Sequence, residues 1–500
     1  GDKDPKQFDY LLAGSYSYPD AKDLAEYQQM HGEAYSREIE YYNSYFGALC
    51  GYAKNAKFEN INVDNFNIKV KTFGKYCIGG LIGGLVNSTV SNCNITNSAS
   101  IKLSKNEYET IAVYSNSFNI AESSDVDISF GGLVGYASGA NNTYTNPTIQ
   151  NSYVNKVTFE VAGEHGAGDP NTPAYRGDYN VGGFVGTLLG TSIQSCSVVS
   201  GTIIADKLYY ATNLNFGGFV GKAQGTCLTK CYSKIDLSVK NTLNTSNQVG
   251  RISANQTADF INIGGIVGKY LVNSYNGNTV ELCRYEGSIT AEPNNALDDK
   301  ALLTNDKFLS RYCMIGGGIG NVESVNANGD FSTGGTICYQ YNETFVKNLI
   351  VGSSSNLAGH TFVGYFIGNW YGPQLSSIYN KYNIGAIKSI AVYSNNKVYL
   401  GVIGANNSDT TVMVRAENFD KSYYIPAPQN DKVLTTGVWG GTIGIRINRE
   451  SKNDYHNYNY TACWYNGTKL SSDSDVIGAF ENGFQYNSQI LSGLVSSGLS

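Results

Sequence analysis

The sequence repeats one short glycine-rich pattern, and this repeat constrains the fold more than any other feature. A glycine, three residues and a second glycine recur with apolar residues between them, as in VGGFVG at 181–186. Successive copies start about 32 to 52 residues apart, which predicts one structural rung per copy with connections of variable length. Looser copies lie at 45–51, 362–368, 399–404 and 439–444. The glycines of the clear copies are Gly79, Gly83, Gly131, Gly135, Gly182, Gly186, Gly217, Gly221, Gly264, Gly268, Gly316 and Gly320.

The residues of one copy predict short strands joined by corners. The glycine-rich run is poor helix material, and glycine inside a strand marks a tight bend or the close approach of another backbone. The step from Ile193 to Cys196 breaks strict alternation, so a second corner is predicted near Gln194–Ser195. A third short strand follows at Thr202–Ile204. The pattern predicts an all-β fold, a right-handed parallel β-helix (β-solenoid) of about ten irregular rungs whose inward residues stack along the axis.

The ends of the chain depart from the repeat. Residues 20–42 have helix-forming composition, and Asp20 is a suitable N-cap, so a helical cap is expected over the first rung. The longest insertions are predicted at 160–179 and 292–312. The predicted segments are an N-terminal cap at 1–44, a β-helix at 45–450 and a C-terminal cap or degraded rung at 451–500.

Composition argues against several function classes. Charged residues make up 15% of the chain, the net charge is −6, and no basic stripe is visible, so nucleic-acid binding is not expected. No apolar run approaches the roughly 18 residues that a membrane span needs. The glycine-rich copies do not fit a phosphate-binding loop, and no histidine has a metal-ligand partner at the usual spacing. We therefore expect no cofactor and no metal.

The sequence contains nine asparagine sequons, although a chain rich in Asn, Ser and Thr also produces them by chance. Secretion is predicted mainly because a polar, Tyr-rich repeat chain suits a surface protein. An Asn-x-Ser/Thr sequon has meaning only in a secretory compartment. Asn244, Asn255 and Asn342 are the strongest glycosylation candidates, because polar residues surround them. The remaining sequons are at Asn87, Asn94, Asn141, Asn406, Asn459 and Asn466.

A short pattern after the glycines carries a family resemblance. Ser or Thr, an aliphatic residue and a Cys recur in STVSNC (88–93), TSIQSC (191–196), TCLTKC (226–231) and NTVELC (278–283). In PTIQNS, Ser152 stands where the Cys would be. The glycine pattern followed by this Ser/Thr, aliphatic and Cys pattern resembles the GLUG-motif repeats of bacterial and protist surface proteins. The resemblance covers roughly residues 45–445. The resemblance implies an adhesin-like surface protein. Such repeats also occur beside the catalytic domain of a streptococcal immunoglobulin A peptidase, but the chain has no H-E-x-x-H.

The cysteines permit two interpretations. Residues at one ladder position are either small buried hydrophobes or disulfide partners on neighbouring rungs. Cys196 with Cys231 is the best candidate pair, because they fall on consecutive copies, and Cys50 with Cys77 could join the first two rungs. The predicted ladder cysteines are Cys93, Cys196, Cys231, Cys283 and Cys338.

Taken together, these features predict a non-catalytic extracellular or cell-surface glycoprotein, a rigid structural or adhesive element such as a filament or coat subunit. Its expected partners are further copies of itself, or other surface proteins and glycans, with contacts through the terminal segments. One alternative is a carbohydrate-active β-helix enzyme, which would gather charged residues on one face across adjacent rungs. Asp125 and Asp127 alone do not make such a cluster. The other alternative is a phage or bacterial fibre protein without glycans.

Overall fold

The structure is a computed structural model that describes the chain between residues 44 and 469 with gaps. The described ranges are 44–71, 76–96, 99–106, 128–139, 149–164, 177–206, 211–240, 260–273, 278–292, 312–325, 335, 337–351, 359–371, 384–387, 390–393, 396–406, 414–416, 432–435, 443–446, 463–465 and 468–469. Within them every regular element is a β-strand. The predicted all-β fold is confirmed, whereas the helix predicted at 20–42 lies outside the described residues.

The strands follow one another in rungs, and each of the first five rungs holds five strands. Rung 1 has β1 (Ser44–Gly47), β2 (Cys50–Lys54), β3 (Lys57–Glu59), β4 (Asn62–Val63) and β5 (Phe66–Lys71). Rung 2 has β6 (Tyr76–Gly79), β7 (Ile82–Val86), β8 (Thr89–Ser91), β9 (Asn94–Ile95) and β10 (Ala99–Asn106). Rung 3 has β11 (Ile128–Gly131), β12 (Val134–Ser138), β13 (Ile149–Gln150), β14 (Tyr153–Val154) and β15 (Val157–Glu164). Rung 4 has β16 (Gly177–Gly182), β17 (Val185–Leu189), β18 (Ser192–Gln194), β19 (Ser197–Val198) and β20 (Gly201–Asp206). Rung 5 has β21 (Ala211–Gly217), β22 (Val220–Gln224), β23 (Cys227–Thr229), β24 (Tyr232–Ser233) and β25 (Asp236–Lys240).

Later rungs fuse some of these strands. Rung 6 has β26 (Phe260–Gly264), β27 (Val267–Asn273), β28 (Thr279–Glu281) and β29 (Arg284–Glu292). Rung 7 has β30 (Tyr312–Gly316), β31 (Ile319–Val325), β32 (Cys338–Gln340) and β33 (Glu343–Val351). The strands that follow are β34 (Gly359–Tyr371), β35 (Ile384–Ile387), β36 (Ile390–Tyr393), β37 (Asn396–Asn406), β38 (Val414–Ala416), β39 (Lys432–Thr435), β40 (Ile443–Arg446), β41 (Cys463–Tyr465) and β42 (Thr468–Lys469).

Three stacked sheets run through the rungs. The first and second strands of each rung lie in one sheet, the third strands in another, and the fourth and fifth strands in a third. Neighbouring rungs pair in parallel, and the antiparallel pairs among the described strands are β36 with β39 and β41 with β42. The predicted parallel solenoid is therefore confirmed in its general form. Its first five rungs hold five strands rather than the three predicted, since the first and third sheets each receive two strands from every one of these rungs.

The register places the corner glycines in one column. Gly79 pairs with Gly47 on one side and with Gly131 on the other. The same column continues through Gly182, Gly217, Gly264, Gly316, Gly364 and Gly401.

Close backbone contact explains why these positions are glycine. A Cβ on Gly264 would lie 1.8 Å from the Val267 carbonyl oxygen and 2.8 Å from the Gly320 backbone nitrogen. Only a residue without a side chain can fit there.

The inner faces of the three sheets enclose one apolar core. The residue before each corner glycine fills it, as do Phe184 and Phe219 after the glycine pair, whose rings stack with centroids 4.7 Å apart. The third strands add Ile193 and Leu228, which are fully buried and adjacent in register. Stacking of like residues along the axis is therefore the main packing principle of the rod.

The second corner is a left-handed residue that recurs on every rung from 1 to 7. Ser195 has φ of 55° and lies inside the corner predicted at Gln194–Ser195. Asn tolerates this conformation best among non-glycine residues, and the first three rungs use it. The residues of this column are Asn60, Asn92, Asn151, Ser195, Lys230, Leu282 and Tyr341.

The predicted insertions are shorter than expected. Strand β15 continues to Glu164 and β16 begins at Gly177, so the segment between them is 165–176 rather than 160–179. Likewise β29 ends at Glu292 and β30 begins at Tyr312. Parallel pairing with β10 keeps residues 160–164 in a strand.

Candidate functional site

A second row of buried side chains lies outside the apolar core, between the first and second strands that flank the glycine corner. The glycines bring the first strand of one rung against the second strand of the next, since a Cβ on Gly221 would lie 2.5 Å from the Val181 nitrogen. Side chains beyond the glycines meet across this narrow gap, as Ser129 and Thr187 do with hydroxyls 2.6 Å apart. We call this row the polar seam. Its described residues are Ser129, Asp178, Asn180, Thr187, Asn213, Asn215, Lys222, Asn262, Lys269, Asn321, Glu323 and Asn369.

Three asparagines form a ladder in the seam. Asn180, Asn215 and Asn262 pair in register and are almost fully buried. The Asn215 Nδ2 donates to Asn180 Oδ1 at 2.7 Å, and the Asn262 Nδ2 donates to Asn215 Oδ1 at 2.7 Å. At the two ends, the Asn180 Nδ2 and the Asn262 Oδ1 make no hydrogen bond. The two hydrogen bonds therefore connect the middle of the ladder, whereas one polar atom at each end has no hydrogen-bond partner.

A charged pair lies beside the asparagine ladder. The Lys222 Nζ donates to Asp178 Oδ2 at 3.0 Å, and the Asn213 Nδ2 donates to Asp178 Oδ1. Burial opposes ionisation of Asp178, but the ammonium groups of Lys222 and Lys269 and the Asn213 amide together hold its pKa below the ordinary value. Asp178 is therefore a carboxylate over the neutral pH range.

The next rungs hold a lysine beside an asparagine and a glutamate. Lys269 is the register neighbour of Lys222 on one side and of Asn321 on the other. The Glu323 carboxylate binds both, with Lys269 Nζ 3.0 Å from Oε2 and Asn321 Nδ2 2.8 Å from Oε1. The Asn369 Nδ2 donates to Asn321 Oδ1 at 2.9 Å. We call Lys269, Asn321, Glu323 and Asn369 the lysine–asparagine site.

The predicted cysteine ladder occupies the position after the left-handed residue. Cys93, Cys196, Cys231 and Cys283 lie there, and Ser152 takes the position in rung 3, as the sequence spacing indicates.

Several ladder side chains accept a hydrogen bond from the backbone of the preceding rung. The Cys93 N–H donates to Ser152 Oγ at 3.0 Å, and the Cys283 N–H donates to Asn342 Oδ1 at 2.9 Å. The N–H of Ser152 donates in the same way to the Cys196 sulfur. The position therefore needs a small side chain with an acceptor atom.

The structure corrects two cysteine predictions. Cys338 is not on the ladder, because it pairs with Thr279 three residues before the left-handed Tyr341, and Asn342 takes the ladder position of rung 7. The candidate disulfides are not formed, and all described cysteine side chains, including the pairs Cys196 with Cys231 and Cys50 with Cys77, are free thiols. Cys196 and Cys231 lie at the same position of neighbouring rungs, where parallel strands keep Cβ atoms about 4.8 Å apart, beyond the separation that a disulfide needs. Cys50 and Cys77 are not register partners, since Cys50 pairs with Ile82 and Cys77 with Tyr45.

Two of the candidate glycosylation sites are buried. Asn342 is fully buried, and its Nδ2 donates to the Val280 carbonyl at 2.9 Å. Asn94 is also buried, with its Nδ2 donating to Asn62 Oδ1 at 2.9 Å. Neither amide can carry a sugar in the folded chain, so both predictions are wrong. Polar neighbours had suggested exposure of Asn342, but both positions stack between rungs.

Asn87 is an exposed corner residue. Of the other candidates, Asn406 is the last residue of β37. The rest lie outside the described residues: Asn141, Asn244, Asn255, Asn459 and Asn466.

A charged cluster lies on the outer face of the third sheet, across rungs 6 and 7. Arg284 Nη1 is 3.0 Å from Glu343 Oε2, and Lys347 Nζ is 3.4 Å from Glu286 Oε1. Partial burial opposes ionisation of Glu286, but Lys347, Lys234 and Arg284 lower its pKa from the ordinary value. These side chains are solvent-accessible and neutralise one another.

No group of three or more His, Cys, Asp or Glu side chains is placed to hold a metal ion in the part of the chain that the structure describes. That part also contains no helix of the length and hydropathy needed to cross a membrane.

Comparison of the chain with protein-family models, with curated proteins and with solved structures found no match.

Proposed function

We propose that the chain is a non-catalytic extracellular or cell-surface glycoprotein that acts as a stiff structural or adhesive element, such as a filament or coat subunit. The observation that supports this proposal is where the variable segments leave the rungs. They fall at two junctions, after the last strand of a rung and between its second and third strands, so different segments can be displayed without disturbing the stack. These segments are 107–127, 140–148, 165–176, 241–259, 274–277, 293–311 and 326–334.

The finer architecture belongs to the same proposal. We infer a right-handed coil of about ten rungs, with a helical cap from 20–42 and a terminal cap or degraded rung at 451–500, since open ends of a solenoid expose strand edges that must be covered or used. Self-association is proposed to use a terminal segment rather than an insertion. Deleting 451–500 is expected to reduce the size of native particles measured by light scattering. Particles that keep their size would reject that part of the proposal.

Imaging and labelling of native material test the main proposal. Antibodies against the chain should label intact, unpermeabilised cells, and electron microscopy should show rods or filaments. Mass spectrometry should find sugar on Asn87, Asn244 or Asn255. Labelling that requires permeabilised cells would reject the surface location, and bare peptides at every sequon would favour the alternative of a phage or bacterial fibre protein.

The outer charged cluster favours the second candidate, a carbohydrate-active enzyme. It brings Arg284, Glu286, Glu343 and Lys347 together on one face across adjacent rungs, which is the arrangement expected of a solenoid lyase or hydrolase. Against it, every one of these groups is paired, and the pKa of Glu286 is lowered, which is unsuitable for a general acid. Release of reducing ends from acidic polysaccharides by the purified chain, abolished by Glu286→Gln, would replace the structural proposal with this one.

A further inference from the structure

We propose that Lys269 and Asn321 become joined by an amide bond that the chain forms without another enzyme, at the lysine–asparagine site of the polar seam. The inference does not depend on the proposed function. It rests on the arrangement of four side chains from three neighbouring rungs, which supplies a nucleophile, an electrophile, a proton acceptor and a donor to the electrophilic carbonyl.

The nucleophile and the electrophile are held side by side. Lys269 and Asn321 are register partners on the parallel strands β27 and β31, where neighbouring backbones are about 4.8 Å apart. Glu323 binds both nitrogen atoms through its two carboxylate oxygens, so the Lys269 amine and the Asn321 amide converge on one group. Such fixed proximity replaces a bimolecular encounter.

The remaining contacts match what the reaction needs. The Asn321 side chain is fully buried, and its Oδ1 accepts a hydrogen bond from Asn369 Nδ2 at 2.9 Å. That donor polarises the carbonyl and would stabilise negative charge on Oδ1 as the amine attacks. Glu323 lies 3.0 Å from the Lys269 nitrogen, within reach to take its proton.

The step balances without an oxidant or a co-reactant. The Lys269 ammonium gives one proton to Glu323, and the neutral amine attacks Cγ of Asn321. A bond from Nζ to Cγ forms, and the carbonyl electrons move onto Oδ1 beside Asn369. When they return, the bond from Cγ to Nδ2 breaks. Nδ2 takes a second proton from the attacking nitrogen and leaves with the proton held by Glu323, so the products are an amide, an ammonium ion and the regenerated carboxylate.

The neighbouring pair in the seam provides an internal contrast. Lys222 is one rung before Lys269 in the same column and faces Asp178 at 3.0 Å. That carboxylate is ionised and accepts hydrogen bonds from the Asn213 amide and the Lys222 ammonium. An ionised carboxylate resists nucleophilic attack, because its negative charge opposes the approach of the amine lone pair. Lys222 and Asp178 therefore stay an ion pair.

Mass spectrometry of the full chain tests the proposal directly. The intact mass, measured after denaturation, is expected to be lower than the sequence mass by one ammonia. Tryptic digestion should give one branched peptide that joins the segment containing Lys269 to the segment containing Asn321. A full sequence mass with linear peptides at both residues would overturn the proposal. Loss of ammonia that maps to a linear peptide, as a succinimide at an Asn-Gly pair would give, overturns it as well.

Matched variants assign the roles. Lys269→Arg keeps the positive charge beside Glu323 but removes the nucleophilic amine. Glu323→Gln keeps the shape of the proton acceptor but removes its carboxylate. Each variant should show the full mass of its own sequence, without loss of ammonia. Asn321→Asp places a carboxylate beside Lys269, as Asp178 lies beside Lys222, and should therefore give an ion pair and the full mass of the variant sequence. Lys222→Arg is the matched control one rung away and should leave the ammonia loss unchanged. A branched peptide that persists in Glu323→Gln would show that Glu323 is not the proton acceptor and would overturn the mechanism. The measurement on the natural chain remains decisive if a variant does not fold.

Discussion

The apolar core and the polar seam are built from adjacent residues of the same strands but are stabilised by different forces. Val181, Phe216 and Ile263 fill the core, and the residues just before them, Asn180, Asn215 and Asn262, fill the seam. Core side chains gain from removal of apolar surface from water whatever their exact orientation. Seam side chains must instead find hydrogen-bond partners, because an unsatisfied buried amide costs free energy.

Because of this difference, the core and the seam contribute differently to stability and to the register of neighbouring rungs. An apolar ladder tolerates Val, Phe and Ile at equivalent positions, so it does not distinguish one rung from another. Parallel rungs of similar sequence could therefore pair in a register shifted by one residue or by one whole rung. An asparagine ladder is satisfied only when each amide faces another amide. We therefore infer that the core supplies most of the stabilisation and that the seam fixes which residues of neighbouring rungs lie side by side.

The largest effect is expected when a corner glycine, which both the apolar core and the polar seam depend on, is replaced. Gly264→Ala would place a Cβ 1.8 Å from the Val267 carbonyl oxygen, and the backbone must shift to relieve the clash. The free energy of unfolding should fall by about 4 kcal/mol or more, in the range of the most damaging substitutions. Chemical denaturation followed by circular dichroism measures the loss.

Ser288→Ala, in β29 of the third sheet, is the control for the glycine variant. It should leave the denaturation midpoint nearly unchanged. A Gly264→Ala chain as stable as the natural one would mean that the corner is not held as tightly as its geometry requires.

The second prediction breaks the seam alone. Asn215→Ala should lower the free energy of unfolding by about 3 kcal/mol, because it leaves the Asn180 carbonyl and the Asn262 amide nitrogen without their partners. Asn262→Ala removes only one of these bonds and should cost less. Equal losses in the two variants, measured by denaturant titration, would show that the ladder does not act as a connected unit.

The repeat and the fold could be predicted from the sequence more fully than the seam. Gly182 and Cys196 are identified by spacing alone, since a corner and a ladder need the same residue type on each rung. The seam also left a signal, in NVGGFVG, NFGGFVG and NIGGIVG, where Asn precedes each corner at the same place. It was missed because polar residues alternating with core residues usually face water on a solenoid. Only the fold shows that the glycine corner closes a second strand over them.

The third prediction concerns the charge in the seam and its dependence on pH. Asp178→Asn should cost about 2 kcal/mol at neutral pH, less than a fully buried pair because Lys222 and Asp178 keep some exposure. The pKa of Asp178 is lower in the folded chain than in the unfolded chain, so its contribution is fully present above the unfolded value of about 3.9. That contribution is lost as the pH falls through the folded pKa.

Acid titration of the thermal midpoint measures this effect. The natural chain should lose stability relative to Asp178→Asn as the pH falls below about 4, so that the difference between the two chains narrows. A difference that stays constant down to the lowest pH at which both chains fold would contradict the assigned ion pair.

The smallest effect is expected at the cysteine ladder, where substitutions test whether a buried side chain must accept a backbone hydrogen bond. Burial raises the pKa of Cys196 to about 12, so its thiol is neutral, and its sulfur accepts a hydrogen bond from the Ser152 N–H. Cys196→Ser keeps an acceptor there, as Ser152 itself does for Cys93. Cys196→Ala removes it and leaves a buried N–H unsatisfied, so the alanine chain should be less stable than the serine chain by about 1 kcal/mol. If alanine is instead the more stable of the two in paired denaturation curves, the ladder is selected only for small size, and the seam alone carries the polar contacts that align the rungs.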